Sequence, residues 1–248
     1  MGHEFELTDT AEVDATPEQV WEAIATGPGI DSWLMGRNEV EGGTGGTIRA
    51  AFGEYRPEYR IREWDPLEKL VYGSETAPDG RRIAYEFLIE GRGGGSSVVR
   101  CVTSGFLPGD DWEDEFEAMT AGGAMFFRTL VEYVTHFAGR TAVPVTAFGP
   151  PVEDWDKAWT RLGVALGLST RPAEGDRVRI ELDGRAPQDG VVYAVNDQTA
   201  GVRTADAMLR FLRGFHGPMV ASHHLFTPGA DAGVAEKVWG GWLDRVFG

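Results

Sequence analysis

Val13-Asp14-Ala15-Thr16-Pro17-Glu18-Gln19-Val20-Trp21-Glu22-Ala23-Ile24 changes its periodicity halfway. From Phe5 to Asp14 the chain reads as a strand. Thr16-Pro17-Glu18 then supplies an N-cap, a proline at the first helical position and an acid in the first turn. Behind them Val20, Trp21 and Ile24 form the apolar stripe of a short helix, which Gly27-Pro28-Gly29 stops ahead of Trp33-Leu34.

Downstream, Gly42-Gly43-Thr44-Gly45-Gly46 leads into Thr47 to Phe52, where Ile48, Ala50 and Phe52 alternate with polar or small neighbours as in a half-buried strand. Further strands are predicted near 56–64, 68–74, 82–90 and 97–106, parted by Asp65-Pro66, Pro78-Asp79-Gly80 and Gly91-Arg92-Gly93-Gly94-Gly95. Connections this short imply antiparallel hairpins, because a parallel pair needs a crossover of roughly a dozen residues or more. After Pro108-Gly109 the period becomes helical, with Phe116, Met119, Gly123, Phe126, Leu130, Val134 and Phe137 on one stripe. A curved antiparallel sheet wrapped around that long helix buries every apolar face, which is an α+β helix-grip layout spanning residues 1–140.

Thr141 to Pro151, with three prolines among small residues, reads as a linker. Residues 152–248 look like a degenerate, shortened second copy. Val152 to Trp159 echoes the first helix, and Gly175-Asp176-Arg177-Val178-Arg179-Ile180 echoes Gly45-Gly46-Thr47-Ile48-Arg49-Ala50. Strands near 190–197, 200–204, 207–213 and 218–226 and a closing helix from Asp231 to Phe247 follow. This copy shows no obvious first strand, so its own pocket is expected to be small or filled.

Composition excludes several function classes. The net charge of -16 is concentrated in residues 1–142, which carry 12 Lys+Arg against 26 Asp+Glu. Such a surface repels phosphate backbones, and nucleic acid is not an expected partner. No run of about 18 apolar residues is present, so no membrane insertion is expected. The N-terminus lacks a basic and apolar leader pattern, and the single cysteine, Cys101, fits a reducing compartment; a cytoplasmic location is the expectation.

The opening helix with Trp33 and Gly45-Gly46 is followed in order by Glu63-Trp64-Asp65-Pro66-Leu67-Glu68-Lys69-Leu70-Val71-Tyr72, Tyr85-Glu86-Phe87 and Thr103-Ser104-Gly105-Phe106. Over residues 5–137 this series resembles the SRPBCC (START-like) superfamily, in the branch of homologues of the activator of the heat-shock-protein-90 ATPase. The resemblance implies a hydrophobic tunnel between sheet and helix, used by different members for lipids, polyketides, chaperone contacts or catalysis. Two departures stand out. Gly122-Gly123-Ala124 replaces a common glycine-tryptophan pair and enlarges the space under the helix, and Thr103 replaces a common histidine, the usual acid/base candidate.

The period-2 rule turns Ile48, Ala50, Phe52, Tyr59, Ile61, Leu70, Tyr72, Tyr85, Phe87, Ile89, Val99, Cys101 and Thr103 toward the helix. From these, with Trp33 and Phe126, the expected ligand-binding residues are Trp33, Phe52, Tyr59, Tyr72, Tyr85, Phe87, Thr103 and Phe126. Aromatic bodies with phenolic tips suit a flat or greasy ligand, although any one such ring is more often core packing. Cys101 reads as an inert buried thiol.

No catalytic residue, metal ligand or cofactor is expected. The acids Asp110, Asp111, Glu113, Asp114, Glu115 and Glu117 sit where a helix dipole favours them. His223 and His224 are adjacent on a predicted strand and point to opposite faces, one expected inside and one exposed or at an interface; His216 lies upstream. Neither glycine cluster precedes a helix, so neither cradles phosphate. Arg60 and Arg62 are expected to point outward, and Ser104-Gly105 lacks a hydrolase context. The expected function is non-catalytic binding of a small hydrophobic or aromatic molecule. The alternatives are a chaperone-regulating interaction module and a polyketide cyclase-like or natural-product-detoxifying enzyme.

Overall fold

The computed structural model describes residues 2–52, 55–109, 112–214 and 217–248. Asp110, Asp111 and His216 lie outside the described residues, as does the side chain of Asp114. The chain divides into two compact units, residues 1–141 and 142–248.

The first unit runs β1 (His3–Val13), α1 (Pro17–Ala25), α2 (Gly27–Ile30), β2 (Arg37–Glu41), β3 (Thr47–Ala51), β4 (Glu58–Asp65), β5 (Lys69–Gly73), β6 (Arg82–Arg92), β7 (Ser96–Leu107) and α3 (Trp112–His136). The seven strands form one antiparallel sheet, ordered β1-β7-β6-β5-β4-β3-β2. One edge of the sheet is β1, which pairs with β7 along its whole length, His3 opposite Leu107 and Val13 opposite Ser97. Helix α3 packs on β1 and β7, with the Phe116 ring 5.7 Å from that of Phe5. This is the helix-grip architecture.

Local chemistry explains where the elements begin. Thr16 and Gln19 make a reciprocal capping box, Gln19 N donating to Thr16 Oγ1 at 3.4 Å and Thr16 N to Gln19 Oε1 at 2.9 Å. Strand β2 was not anticipated, because its inward position is Asn38 and only Val40 is apolar. It is held instead by buried Asp31, whose Oδ1 accepts from Asn38 N at 2.6 Å and from Asn38 Nδ2 at 3.0 Å. Strand β4 carries a bulge at Arg62, between the pairs Ile61 with Tyr72 and Glu63 with Val71. The extra residue resets the phase so that Trp64 stands opposite Leu70 and packs edge-on against Trp21 at 5.0 Å.

The second unit repeats the plan with one strand fewer: β8 (Val143–Pro151), α4 (Trp155–Ala165), β9 (Arg177–Ile180), β10 (Gln188–Val195), β11 (Thr199–Thr204), β12 (Ala207–Arg213), β13 (Pro218–Leu225) and α5 (Ala232–Phe247). Its antiparallel sheet is ordered β8-β13-β12-β11-β10-β9, so the first strand again pairs with the last. Two expectations are corrected here. The stretch Thr141 to Pro151, read as a linker, is almost entirely strand β8, and the second copy therefore does possess its first strand. Proline is compatible with this position because β8 is an edge strand, with a hydrogen-bonded neighbour on one side only.

The interior of the second unit is filled by aromatic rings. Phe211 lies 5.5 Å from Trp242 and 6.0 Å from Trp239, and His223 lies 4.2 Å from Trp239. His223 Nδ1 accepts from Arg210 N at 3.1 Å, as an inward histidine should. The expectation that the other histidine is exposed or at an interface is corrected as regards exposure: His224 is wholly buried, because β13 is an interior strand covered on both faces along most of its length.

Candidate functional site

The inner face of the first sheet gathers rings from three adjacent strands. Tyr72 on β5 stands opposite Ile61 on one side and Tyr85 of β6 on the other, and Tyr85 stands opposite Thr103 of β7. Ring centroids are 5.7 Å apart for Tyr59 and Tyr72, 5.8 Å for Tyr59 and Tyr85, and 5.2 Å for Tyr72 and Tyr85. Phe87 extends the group at 6.3 Å from Tyr72, and Trp33 at 6.4 Å from Phe87.

This row is graded from closed to open. Trp33, Phe87 and Tyr72 are buried, and the Trp33 indole N–H is spent on Ala23 O at 2.9 Å. Tyr59, Tyr85 and Thr103 are half-buried, so solvent reaches that end. The tyrosine end of the row is therefore its exposed end and the Trp33 end its buried one. Of the remaining expected residues, Phe52 is half-buried just beyond β3, bridged to Tyr55, and Phe126 is half-buried on α3. Arg60 and Arg62 point away, bonded to the carbonyls of Gly45 at 2.8 Å and Ser74 at 2.9 Å.

Burial pushes the hydroxyls of Tyr59, Tyr72 and Tyr85 well above the ordinary tyrosine range, and neighbouring tyrosines add to the shift. Burial likewise pushes the Cys101 thiol up to about 12; the nearby Asp9 charge adds to this, while a hydrogen bond with Thr103 works against it. Near neutrality all four groups keep their protons. They can donate and accept hydrogen bonds, and they are poor bases and nucleophiles.

One inward residue escaped the sequence reading. Asp9 stands opposite Cys101 on β1, half-buried, and burial raises its pKa above the ordinary carboxylate range. The signal was present in the alternation Phe5, Leu7, Asp9, Ala11, Val13, where a carboxylate occupies the apolar phase. On α3, Gly122 and Gly123 border open space, since a Cβ added at either would meet nothing within 4 Å. Both have ordinary helical backbones, so Gly122→Ala and Gly123→Ala are each expected to stabilise the first unit by about 0.5–1 kcal/mol. A rise in Tm for each variant is the check.

Two cavities lie apart from the tyrosine row. One of about 430 Å³ lies against Glu6, Arg62, Arg82 and Ser104 in the first unit, and one of about 270 Å³ is floored by Leu209 and Trp239 in the second. Among the described residues no group of three His, Cys, Asp or Glu side chains converges as metal ligands would.

The family model for polyketide cyclase / dehydrase and lipid transport matches residues 4–148, more than half of the chain. The chain belongs to this family. The matched polyketide cyclase / dehydrase and lipid transport segment takes in β1 to α3, the elements that carry the tyrosine row. Solved structures of similar fold include protein MLL2253 from Mesorhizobium loti (20% identity, 52% of this chain and 95% of that one, TM-score 0.45) and the Aha1 dimer from Colwellia psychrerythraea (20%, 53% and 96%, TM-score 0.43). The di-domain ARO/CYC BexL from the BE-7585A biosynthetic pathway is similar over 94% of this chain and 92% of its own, at 14% identity and a TM-score of 0.46. A comparison with curated proteins gives no match.

Proposed function

We propose that the first unit binds a small hydrophobic or aromatic molecule without transforming it, in the cleft between the sheet and α3. The observation that carries this reading is the half-open row of Tyr59, Tyr72 and Tyr85, rings in contact and hydroxyls protonated, in a unit whose α3 bears no side chain at Gly122 and Gly123. Rings supply apolar area, and phenolic tips meet ligand oxygens that would otherwise be buried unpaired. Membership of a family described by both cyclase and lipid-transport activities supports an apolar ligand. No helix among the described residues is long and apolar enough to cross a membrane, and a cytoplasmic site of action is part of the proposal.

Native mass spectrometry and thermal shift against a panel of lipids and polycyclic aromatics provide the test. At least one panel member is expected to bind and raise Tm. The double variant Tyr59→Ala, Tyr85→Ala is expected to lose about tenfold or more in affinity, since each truncation removes an aromatic wall. Failure of every panel member to bind, or undiminished binding by the double variant, would overturn the reading.

A further inference from the structure

Asp9 places a half-buried carboxylate on the inward phase of β1, opposite Cys101 of β7, with no hydrogen bond or ion pair to any described residue. Elsewhere the unit uses its cations on exposed acids: Arg49 pairs with Glu41 and Glu58, Lys69 with Glu63 and Glu86, and Arg82 with Glu4. None of these reaches Asp9. A half-buried carboxylate loses hydration that nothing in the protein replaces, so a ligand group that brings positive charge and an N–H meets an unfilled requirement.

The surroundings favour the same chemistry. Tyr59, Tyr72 and Tyr85 present ring faces and edges to the cleft, and cations are attracted to aromatic faces. Residues 1–142 carry 12 Lys+Arg against 26 Asp+Glu, and a field of that sign concentrates cations near the cleft mouth. Asp9 lies two strands from Tyr85, a lateral span of about 10 Å, which a three-ring aromatic covers.

We infer that the cleft selects organic cations, its ligand being a flat aromatic molecule whose protonated nitrogen is received by the Asp9 carboxylate while the tyrosine rings hold the frame. This rests on the reading of the cleft as a binding site and narrows it to one ligand class. Two tricyclic fluorescent probes of similar shape separate the claims: 9-aminoacridine, a cation at neutral pH, and acridone, which is neutral. Both are titrated into the full chain and into Asp9→Asn, with tryptophan and probe fluorescence as readouts.

The unmodified chain is expected to bind 9-aminoacridine about tenfold or more tightly than acridone, the range of a charge-assisted hydrogen bond. Asp9→Asn is expected to erase that preference and leave acridone affinity within about twofold, because the amide keeps the shape and removes the charge. Should Asp9→Asn fail to fold, Asp9→Ser takes its place. Equal binding of the two probes by the unmodified chain overturns the inference and leaves the binding site standing. A preference that survives in Asp9→Asn assigns it to the acidic surface and overturns the inference as well. Binding of neither probe, together with an empty panel, removes the site and the inference together.

Discussion

Phe211→Ala is expected to cost the second unit about 3–5 kcal/mol, the range for removing a fully buried aromatic side chain. Phe211 has no exposed surface and touches three rings, His223 at 5.2 Å, Trp242 at 5.5 Å and Trp239 at 6.0 Å. These rings come from β13 and α5, so the cavity left behind lies where sheet and helix meet and cannot close by a local side-chain shift. A loss of this size is a large share of the ~5–15 kcal/mol that holds a typical domain. Urea unfolding followed by tryptophan fluorescence is the measurement. Phe148→Ala is the control, because Phe148 on β8 is 58% exposed and its removal is expected to change stability by less than about 0.5 kcal/mol. Comparable midpoints for the two variants would show that the aromatic cluster is not what holds this unit together.

Acid is expected to destabilise the same unit through His223. Burial, with the Arg210 charge adding to it, lowers its pKa from 6.5 to about 3. The ring must stay neutral, because Nδ1 accepts a hydrogen bond from Arg210 N and cannot carry a proton of its own. Above the unfolded value both states hold the neutral ring and His223 contributes no pH dependence. Below it the unfolded chain takes up a proton that the folded one refuses, so stability falls as pH drops until the folded value is reached. The loss approaches on the order of 5 kcal/mol over that window, at roughly 1.4 kcal/mol per pH unit. Carboxylates titrate in the lower part of the range, so the diagnostic quantity is the difference in slope between the unmodified chain and His223→Gln, whose side-chain oxygen can still accept from Arg210 N. Equal slopes between pH 6 and 4 would show that His223 is protonated in the folded unit.

The parts of this fold that were legible in the sequence are those where one local signal acts alone. The strand expected over 207–213 in the second copy matches β12 at its observed bounds, and the Thr16-Pro17-Glu18 start gives α1. The readings fail where a distant partner decides. Asn38 looks like a loop residue until Asp31 folds back to satisfy it, and the prolines of β8 look like a linker until the strand is seen to lie on a sheet edge. The bulge at Arg62 has no glycine or proline to announce it.

The site follows the same division. Tyr59, Tyr72 and Tyr85 fall into one row because period-2 phasing of three neighbouring strands is additive. Trp33 is expected beside them as a ligand contact, whereas its indole N–H is engaged by Ala23 and its buried ring lies beyond Phe87. Asp9 shares the inward phase of β1 with Phe5 and Val13, yet a carboxylate in that phase carries no apolar signal of its own.

The pairing of β1 with β7 has a consequence for how the chain emerges from the ribosome. Partners such as His3 and Leu107 are separated by nearly the whole first unit, so the first strand made is the last to be zipped in. At about 5–20 residues per second it waits on the order of 5–20 s for its mate, exposed to any other nascent edge. Its own lettering guards it in that interval: Glu4, Glu6 and Glu12 put like charges along the flank that never needs covering, and two such strands meeting prematurely would repel.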